Sequence, residues 1–221
     1  MAVLTLVGCR DTEASGSGSE SAPGDGIQGD LPPVTQTISE LFVTDGEIDG
    51  LTKTVFRTND KKYWTYEGAT LWTVWGGSTG SFSSRTVKLT KTSGHSSGGY
   101  GIVFCHGEYE IDGKQTQVML VVMINNDGQY LVGKTVGGVF TDFGWWKSTS
   151  YINKSPGFLN EIKLDYSGGR YVLRINGYEV DSFSDDSYPI LSGGKNGYIV
   201  VISPYDNFPT SFVDVYFLEA R

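Results

Sequence analysis

Glu110-Ile111-Asp112 sets two carboxylates at alternate positions, and Glu47-Ile48-Asp49-Gly50 repeats the arrangement. Alternate residues of a strand share a face. Such a pair has the chemistry of a retaining glycosidic cleavage, which needs a nucleophile and an acid about 5 Å apart. The residues after each pair argue against it. Asp112-Gly113 and Asp49-Gly50 read as hairpin turns, and Gly113, Lys114 and Gln115 supply no further carboxylate. Gly76-Gly77-Ser78-Thr79-Gly80 and Gly94-His95-Ser96-Ser97-Gly98 match the letters of a serine nucleophile elbow. An elbow needs a strand that turns sharply into a helix, and here each match leads into another strand. His95 and His106 are the only histidines and lack metal-ligand spacing. His95 reads as a solvated loop residue and His106 as a strand end. Cys105 reads as an inert, small core residue. Asn126-Asp127 and Asp185-Asp186 carry the oxygens a calcium ion takes, although turn formation and solvation account for them. Beyond that calcium, no cofactor is implied.

The aromatic residues are the richer set. Tyr63, Trp64, Tyr66, Trp72 and Trp75 cluster, and Trp145 and Trp146 are adjacent. Neighbouring residues of a strand point to opposite faces, and Trp72 and Trp75 also have an odd spacing. Each pair therefore offers one core member and one candidate for the surface, where a flat ring stacks on the apolar face of a sugar. On this reading one of Trp145 and Trp146 forms a platform with Trp72, Trp75 or Tyr66. The plainer reading makes Trp146 core and packs Trp145 beneath a loop.

The elements that must carry these residues are strands. Phe158, Ile162, Leu164 and Tyr166 fall mostly on one face of an extended segment and Glu161, Lys163 and Asp165 on the other, and Tyr171, Leu173 and Ile175 alternate with Val172, Arg174 and Asn176. Period-two alternation marks strands with one buried face. Ser167-Gly168-Gly169-Arg170 turns the chain between these two, and Asn176-Gly177 turns it again into a third strand of Tyr178, Val180 and Ser182. Further strands are expected over Leu71–Trp75, Arg85–Thr92, Tyr100–His106, Val118–Ile124, Tyr130–Val136, Tyr198–Ile202 and Phe212–Leu218. In the third of these, Ile102 and Phe104 take one face, and Gly101, Val103 and Cys105 the other. Val118–Ile124 is apolar throughout, as for a strand covered on both faces. Val34–Lys62 is the least readable stretch, with Asp45-Gly46 and Asp49-Gly50 as turn signals. Roughly ten strands with short turns and no helical period predict an all-β, two-sheet antiparallel sandwich.

The 221 residues suffice for one sizeable core, and 30 glycines fit a turn-rich β protein. A formal net charge of −8 excludes nucleic acid as a natural partner, because phosphate binding needs clustered Lys and Arg. Two cysteines, Cys9 and Cys105, are too few for a disulfide framework. Arg10 to Pro33 is rich in Gly, Ser, Asp, Glu and Pro and cannot bury enough apolar surface to fold. Gly24-Asp25-Gly26-Ile27-Gln28-Gly29 has the letters of a dinucleotide fingerprint, but no strand precedes it and no helix comes after. The expected organisation is a short apolar segment (1–9), a spacer (10–33) and a β-sandwich (34–221).

Leu6-Val7-Gly8-Cys9 resembles the lipobox of bacterial lipoproteins, in which Cys becomes lipid-modified. The apolar part is shorter than a usual signal and lacks a basic n-region, and a start placed too far downstream would account for both. The resemblance implies a lipid anchor on Cys9 and an extracytoplasmic place on the cell envelope.

Gly99-Tyr100-Gly101-Ile102-Val103-Phe104, then Trp146, Ser148, Ile152, Asn160 and Tyr171-Val172-Leu173-Arg174-Ile175-Asn176-Gly177, resemble the concanavalin A-like lectin and glucanase superfamily. The laminin-G-like and glucanase-like jelly rolls are nearest in flavour, and the likeness spans roughly Arg85 to Leu218. Glu110-Ile111-Asp112 resembles the start of the paired-carboxylate motif of family 16 glycosidases, without its last acid. The resemblance implies a jelly roll that faces a glycan or glycoconjugate. A lectin-like domain is the leading expectation. A glycosidase of the same fold and a protein-binding adhesion module are the alternatives.

Overall fold

The computed structural model describes residues 34–65, 67–75, 84–142, 145–184 and 194–220, with backbone only for 34–37 and 141–142. Fifteen strands run through them. Sheet 1 holds, in spatial order, β1 (Val34–Thr37), β4 (Ala69–Trp75), β14 (Lys195–Ile202), β6 (Tyr100–Ile111), β7 (Lys114–Ile124) and β8 (Gln129–Val136). Both β9 (Val139–Asp142) and β10 (Lys147–Ser148) then pair with β8. Sheet 2 runs β13 (Tyr178–Phe183), β12 (Arg170–Ile175), β11 (Asn160–Ser167), β5 (Ser84–Ser93), β15 (Val213–Glu219), β3 (Leu51–Thr58) and β2 (Phe42–Ile48). β1 pairs parallel with β4, and the other pairs are antiparallel.

The expected sandwich is what forms, and alternation explains it. Val87, Leu89, Ile162, Leu164, Leu173 and Phe217 of sheet 2 meet Leu71, Tyr100, Ile102, Leu120, Val122 and Tyr198 of sheet 1 in one buried cluster. Among the described residues five hairpins turn on pairs of left-handed residues: two are Gly-Gly, at Gly137-Gly138 and Gly168-Gly169, and three open on Asp or Asn. The φ values of those three are 53° and 75° at Asp49-Gly50, 52° and 72° at Asp112-Gly113, and 50° and 85° at Asn176-Gly177. Asn and Asp reach that region at low cost and Gly at none. Asp45-Gly46 is different: it lies inside β2, where the register with β3 slips between Thr44 and Glu47. The strands beyond the expected ten are chiefly β1, β2, β3, β9 and β10. β2 has an exposed residue at six of its seven positions, so no period-two burial marks it.

One charged group ties the sheets together. Arg85 on β5 is 5% exposed and donates to both carboxylate oxygens of Glu219, at 2.7 and 2.9 Å. Its Nη1 also crosses to sheet 1, donating to the carbonyls of Val103 at 2.6 Å and Gly197 at 3.1 Å. Next to Gly197 the β14–β6 register shifts. Tyr198 Oη donates to Glu219 Oε2 at 3.0 Å and completes the group. A buried ion pair needs such extra partners to offset its desolvation.

Candidate functional site

Sheet 1 has a second face, turned away from sheet 2, and its composition sets it apart. Along β4, β14, β6, β7 and β8 the outward positions are Trp72, Ile199, Val201, Val103, Met119, Val121, Met123 and Leu131, all buried in one cluster. Val74, Phe140 and Trp146 pack against it. The outer face of sheet 2, by contrast, carries ion pairs such as Lys53 with Asp45 and Arg174 with Asp165. The outward residues of sheet 1 are only 0–5% exposed, so this face is covered, as the uniformly apolar Val118–Ile124 predicts, whereas the outer face of sheet 2 is solvated.

A bulge brings a histidine into this face. The β6–β7 register slips between Phe104 and Gly107, and Cys105 takes φ of 52°. The slip corrects the strand expected over Tyr100–His106: β6 continues to Ile111, and Cys105 joins the core between the sheets rather than lying with Val103. Burial pushes the Cys105 thiol up to about 11, so the reading of an inert core residue fits. His106 then stands beside Trp72, with ring centroids 5.2 Å apart. It is 7% exposed. Neither of its ring nitrogens, nor Trp72 Nε1, has a hydrogen-bond partner among the described residues. Buried polar atoms are paired in the great majority of cases, so three orphans on adjoining rings mark this spot. Burial first, and the nearby Lys195 second, lower the pKa of His106 and favour the neutral ring.

The acids lie further along the same strand. Glu108 faces Gln117 and Glu110 faces Gln115 across β6 and β7. By alternation from the bulge both share the outer face with His106, while Asp112 sits at the turn. Glu108, Glu110 and Asp112 are all exposed. Glu108-Tyr109-Glu110 is legible in the sequence as an alternating acid pair; the bulge that aligns it with His106 is not.

The tryptophans divide as their packing dictates. Trp145 is 47% exposed and Trp146 half-buried, but strand alternation is not the cause. Trp145 lies in a bend with φ of 49°, ahead of β10. Trp146 lies over Gly99, where an added Cβ would sit 2.9 Å from Cη2 of the indole. Trp72 and Trp75 do split between faces. The outward member, Trp72, is only 4% exposed, while Trp75 packs into the inter-sheet core 4.5 Å from Tyr198. Trp72 thus belongs to the outer cluster and Trp146 packs against that cluster, while Trp75 and Trp145 lie elsewhere. Tyr66, Cys9, Gly76–Gly80 and Asp185-Asp186 lie outside the described residues.

The remaining polar motifs resolve into turns. Asn126 Oδ1 accepts from Tyr100 Oη at 2.9 Å, and Asn125 Oδ1 caps Asp127 and Gln129. Those oxygens are engaged in turn formation. In the 94–98 loop, His95 Nδ1 and Ser97 Oγ are 2.8 Å apart, and the chain leads on into β6 rather than a helix. Lys91 holds this loop from beneath, donating to the carbonyls of His95 and Gly98.

No family model and no curated protein matches the chain. Solved structures do match it. A Bacillus licheniformis β-glucanase aligns over 90% of each chain, with a TM-score of 0.50 and 7% identity. A prokaryotic β-1,3-1,4-glucanase (lichenase) from a mouse hindgut metagenome covers 89% of each, at 0.51 and 9%. A family 16 endo-glucanase from Bacteroides ovatus matches 84% of this chain and 86% of its own, at 0.52 and 8%. Identities this low speak for the fold.

Proposed function

We propose that this concanavalin A-like jelly roll is a carbohydrate-binding domain, and that its sugar site is the outer face of sheet 1. The observation that carries the reading is the contact of Trp72 with His106 in the outer cluster, against which Trp146 also packs: buried rings with three polar atoms that lack partners among the described residues. Sugars present apolar C–H faces and hydroxyl rims, and such a cluster complements both. Three structures that share the fold bear glucanase names, which agrees with a glycan ligand. Glycan-array screening of the full chain, then titration calorimetry, tests the proposal. Saturable binding that Trp146→Ala abolishes is expected. An array without any specific signal ends the reading.

A hydrolase is the second reading, favoured by Glu108 and Glu110 sharing one strand face with His106. It requires reducing ends to appear when bound glycan is incubated with the protein, and Glu108→Gln or Glu110→Gln to stop their release.

A location belongs to the same proposal. A lipid on Cys9, joined to a spacer of low apolar content, would hold the domain off the extracytoplasmic side of a cell-envelope membrane. Intact-mass analysis of membrane fractions should reveal the acyl mass, and a free Cys9 thiol there overturns the anchor.

A further inference from the structure

The outer face of sheet 2 carries an open groove whose ion pairs leave hydrogen-bonding groups unused. Lys53, Val55 and Arg57 point outward from β3, opposite Leu218, Tyr216 and Asp214 of β15, while Phe56 and Val215 fill the core. Two cavities of about 300 and 310 Å³ lie over these strands and share Arg57 and Asp214 in their walls. From Lys53 to Arg57 the groove runs about 13 Å, at ~3.3 Å per strand residue. Solvent reaches it: the Arg57 side chain is 64% exposed, and Phe212 at the far end is 45% exposed. On the premise that this domain binds glycan, we infer that the groove is a second sugar site, on the sheet opposite Trp72, and takes a short neutral oligosaccharide.

The groups that face the groove set its chemistry. Arg57 donates through Nε and Nη2 to Asp214 Oδ2, so Nη1 and Asp214 Oδ1 are unengaged among the described residues. Lys53 Nζ donates to Asp45 Oδ2 at 2.6 Å, which leaves Asp45 Oδ1 and the Tyr216 hydroxyl without partners among those residues as well. These groups stand on a fixed frame. Ser93 Oγ donates to the Phe212 carbonyl at 2.6 Å, and Thr92 Oγ1 to that of Asp214 at 3.3 Å. Elsewhere on the same face Arg174 is closed off, with Nη1 on Asp165 and Nη2 on Glu179. Two cations and two carboxylates give the groove lining no net formal charge, so an ion drawn by one member of a pair is repelled by the other. A hydroxyl both donates and accepts, and so bridges an acid and a guanidinium at once. Tyr216, with Lys53 Nζ 5.8 Å from its ring centroid, and Phe212 supply the apolar surfaces that the C–H faces of a sugar need.

The test is amide chemical-shift mapping of the full chain with a β-1,3-1,4-glucan tetrasaccharide, and with sodium phosphate as the anionic probe. The glucan should shift amides around Val55 and Tyr216 with a dissociation constant on the order of 1 mM, because an open groove makes its hydrogen bonds in competition with water. Tyr216→Ala and Arg57→Gln, each checked by thermal unfolding, should weaken that binding at least about fivefold, the loss of one hydrogen bond. Tyr216→Phe removes the hydroxyl alone, should weaken binding less, and carries the test if the alanine variant does not fold. Trp146→Ala, which removes the tighter calorimetric binding expected at sheet 1, separates the two sites. Groove shifts that vanish with it, or glucan shifts confined to sheet 1, overturn the groove and leave the glycan reading standing. Folded Tyr216→Phe and Arg57→Gln chains that both bind as wild type does have the same consequence. Groove shifts with phosphate alone make it an anion site and overturn the inference. No glucan shift anywhere, with a silent array, overturns the glycan reading and the groove together.

Discussion

Lys91 is the residue whose burial is hardest to justify and easiest to test. Its side chain is 1% exposed and its ammonium is held by the carbonyls of His95 and Gly98. Burial lowers its pKa from 10.5 to about 8, against the pull of Asp206 and Asp127. Between those two values the unfolded chain binds a proton that the folded chain does not. Stability should therefore rise with pH across that window, and below about 8 the cost of burying the charge is fully present. Tyr100 and Tyr130 have raised pKa values, chiefly through burial, and so favour the folded state less above pH 10. Urea midpoints should climb from about pH 8 towards about 9.5 in wild type and stay level in Lys91→Met. A level wild-type profile would mean that the ammonium is not desolvated. The tryptophan pair offers a second test at this scale. Trp145→Ala removes a ring that is 47% exposed and should change stability by about 0.5 kcal/mol or less. Trp146→Ala strips packing from the outer cluster and should cost about 1–3 kcal/mol, short of a fully buried tryptophan. Equal midpoints for the two variants would contradict the packing described.

Among the elements, the hairpins are legible in the sequence because their chemistry is local. Asn176-Gly177 needs positive φ at both positions, and a β-branched residue resists that region. Gly177→Val should cost on the order of 1–3 kcal/mol by denaturant unfolding, although an added Cβ would meet no neighbour within 4 Å. An unchanged midpoint would show that the strain is absorbed. β11 and β12 are legible for a related reason: their apolar residues alternate over a buried face. β2 is not, because an exposed strand repeats nothing. The bulge at Cys105 and His106 is hidden for a different reason. It shifts the register by one residue, and any single-strand alternation rule then assigns the side chains beyond it to the wrong face. That one residue decides whether His106 faces the core or the candidate site.

At the scale of the molecule, what the sequence conceals is pairing across distance. Nothing near Arg85 announces that it meets Glu219 and the carbonyls of two strands in the other sheet. Glu219→Leu leaves that guanidinium buried without its counter-ion and should cost about 3–5 kcal/mol. A thermal midpoint within error of wild type would mean that Arg85 does not join the sheets. The candidate site is half legible: Trp72 and Trp146 are visible in the sequence, while the bulge that sets His106 beside Trp72 is not. Composition makes a separate prediction for residues 1–33. Their removal should alter stability by less than about 1 kcal/mol, since the spacer has little apolar surface to bury. A larger loss in thermal unfolding would mean that these residues dock on the domain. The Asn176-Gly177 turn also bears on how the whole molecule ages. Asn-Gly is the sequence at which a backbone nitrogen most readily attacks the preceding side-chain amide, expelling ammonia. Here Asn176 Nδ2 donates to Tyr151 O at 2.6 Å and Asn160 Oδ1 at 2.9 Å, while its Oδ1 accepts from Glu161 N at 2.8 Å. The amide is fastened out of reach of that attack while the hairpin is closed. Only opened chains deamidate, and the carboxylate formed then faces two oxygens where it once donated. Acid at position 176 is therefore a written record of past unfolding, and chains that carry it should reopen more easily than those that do not.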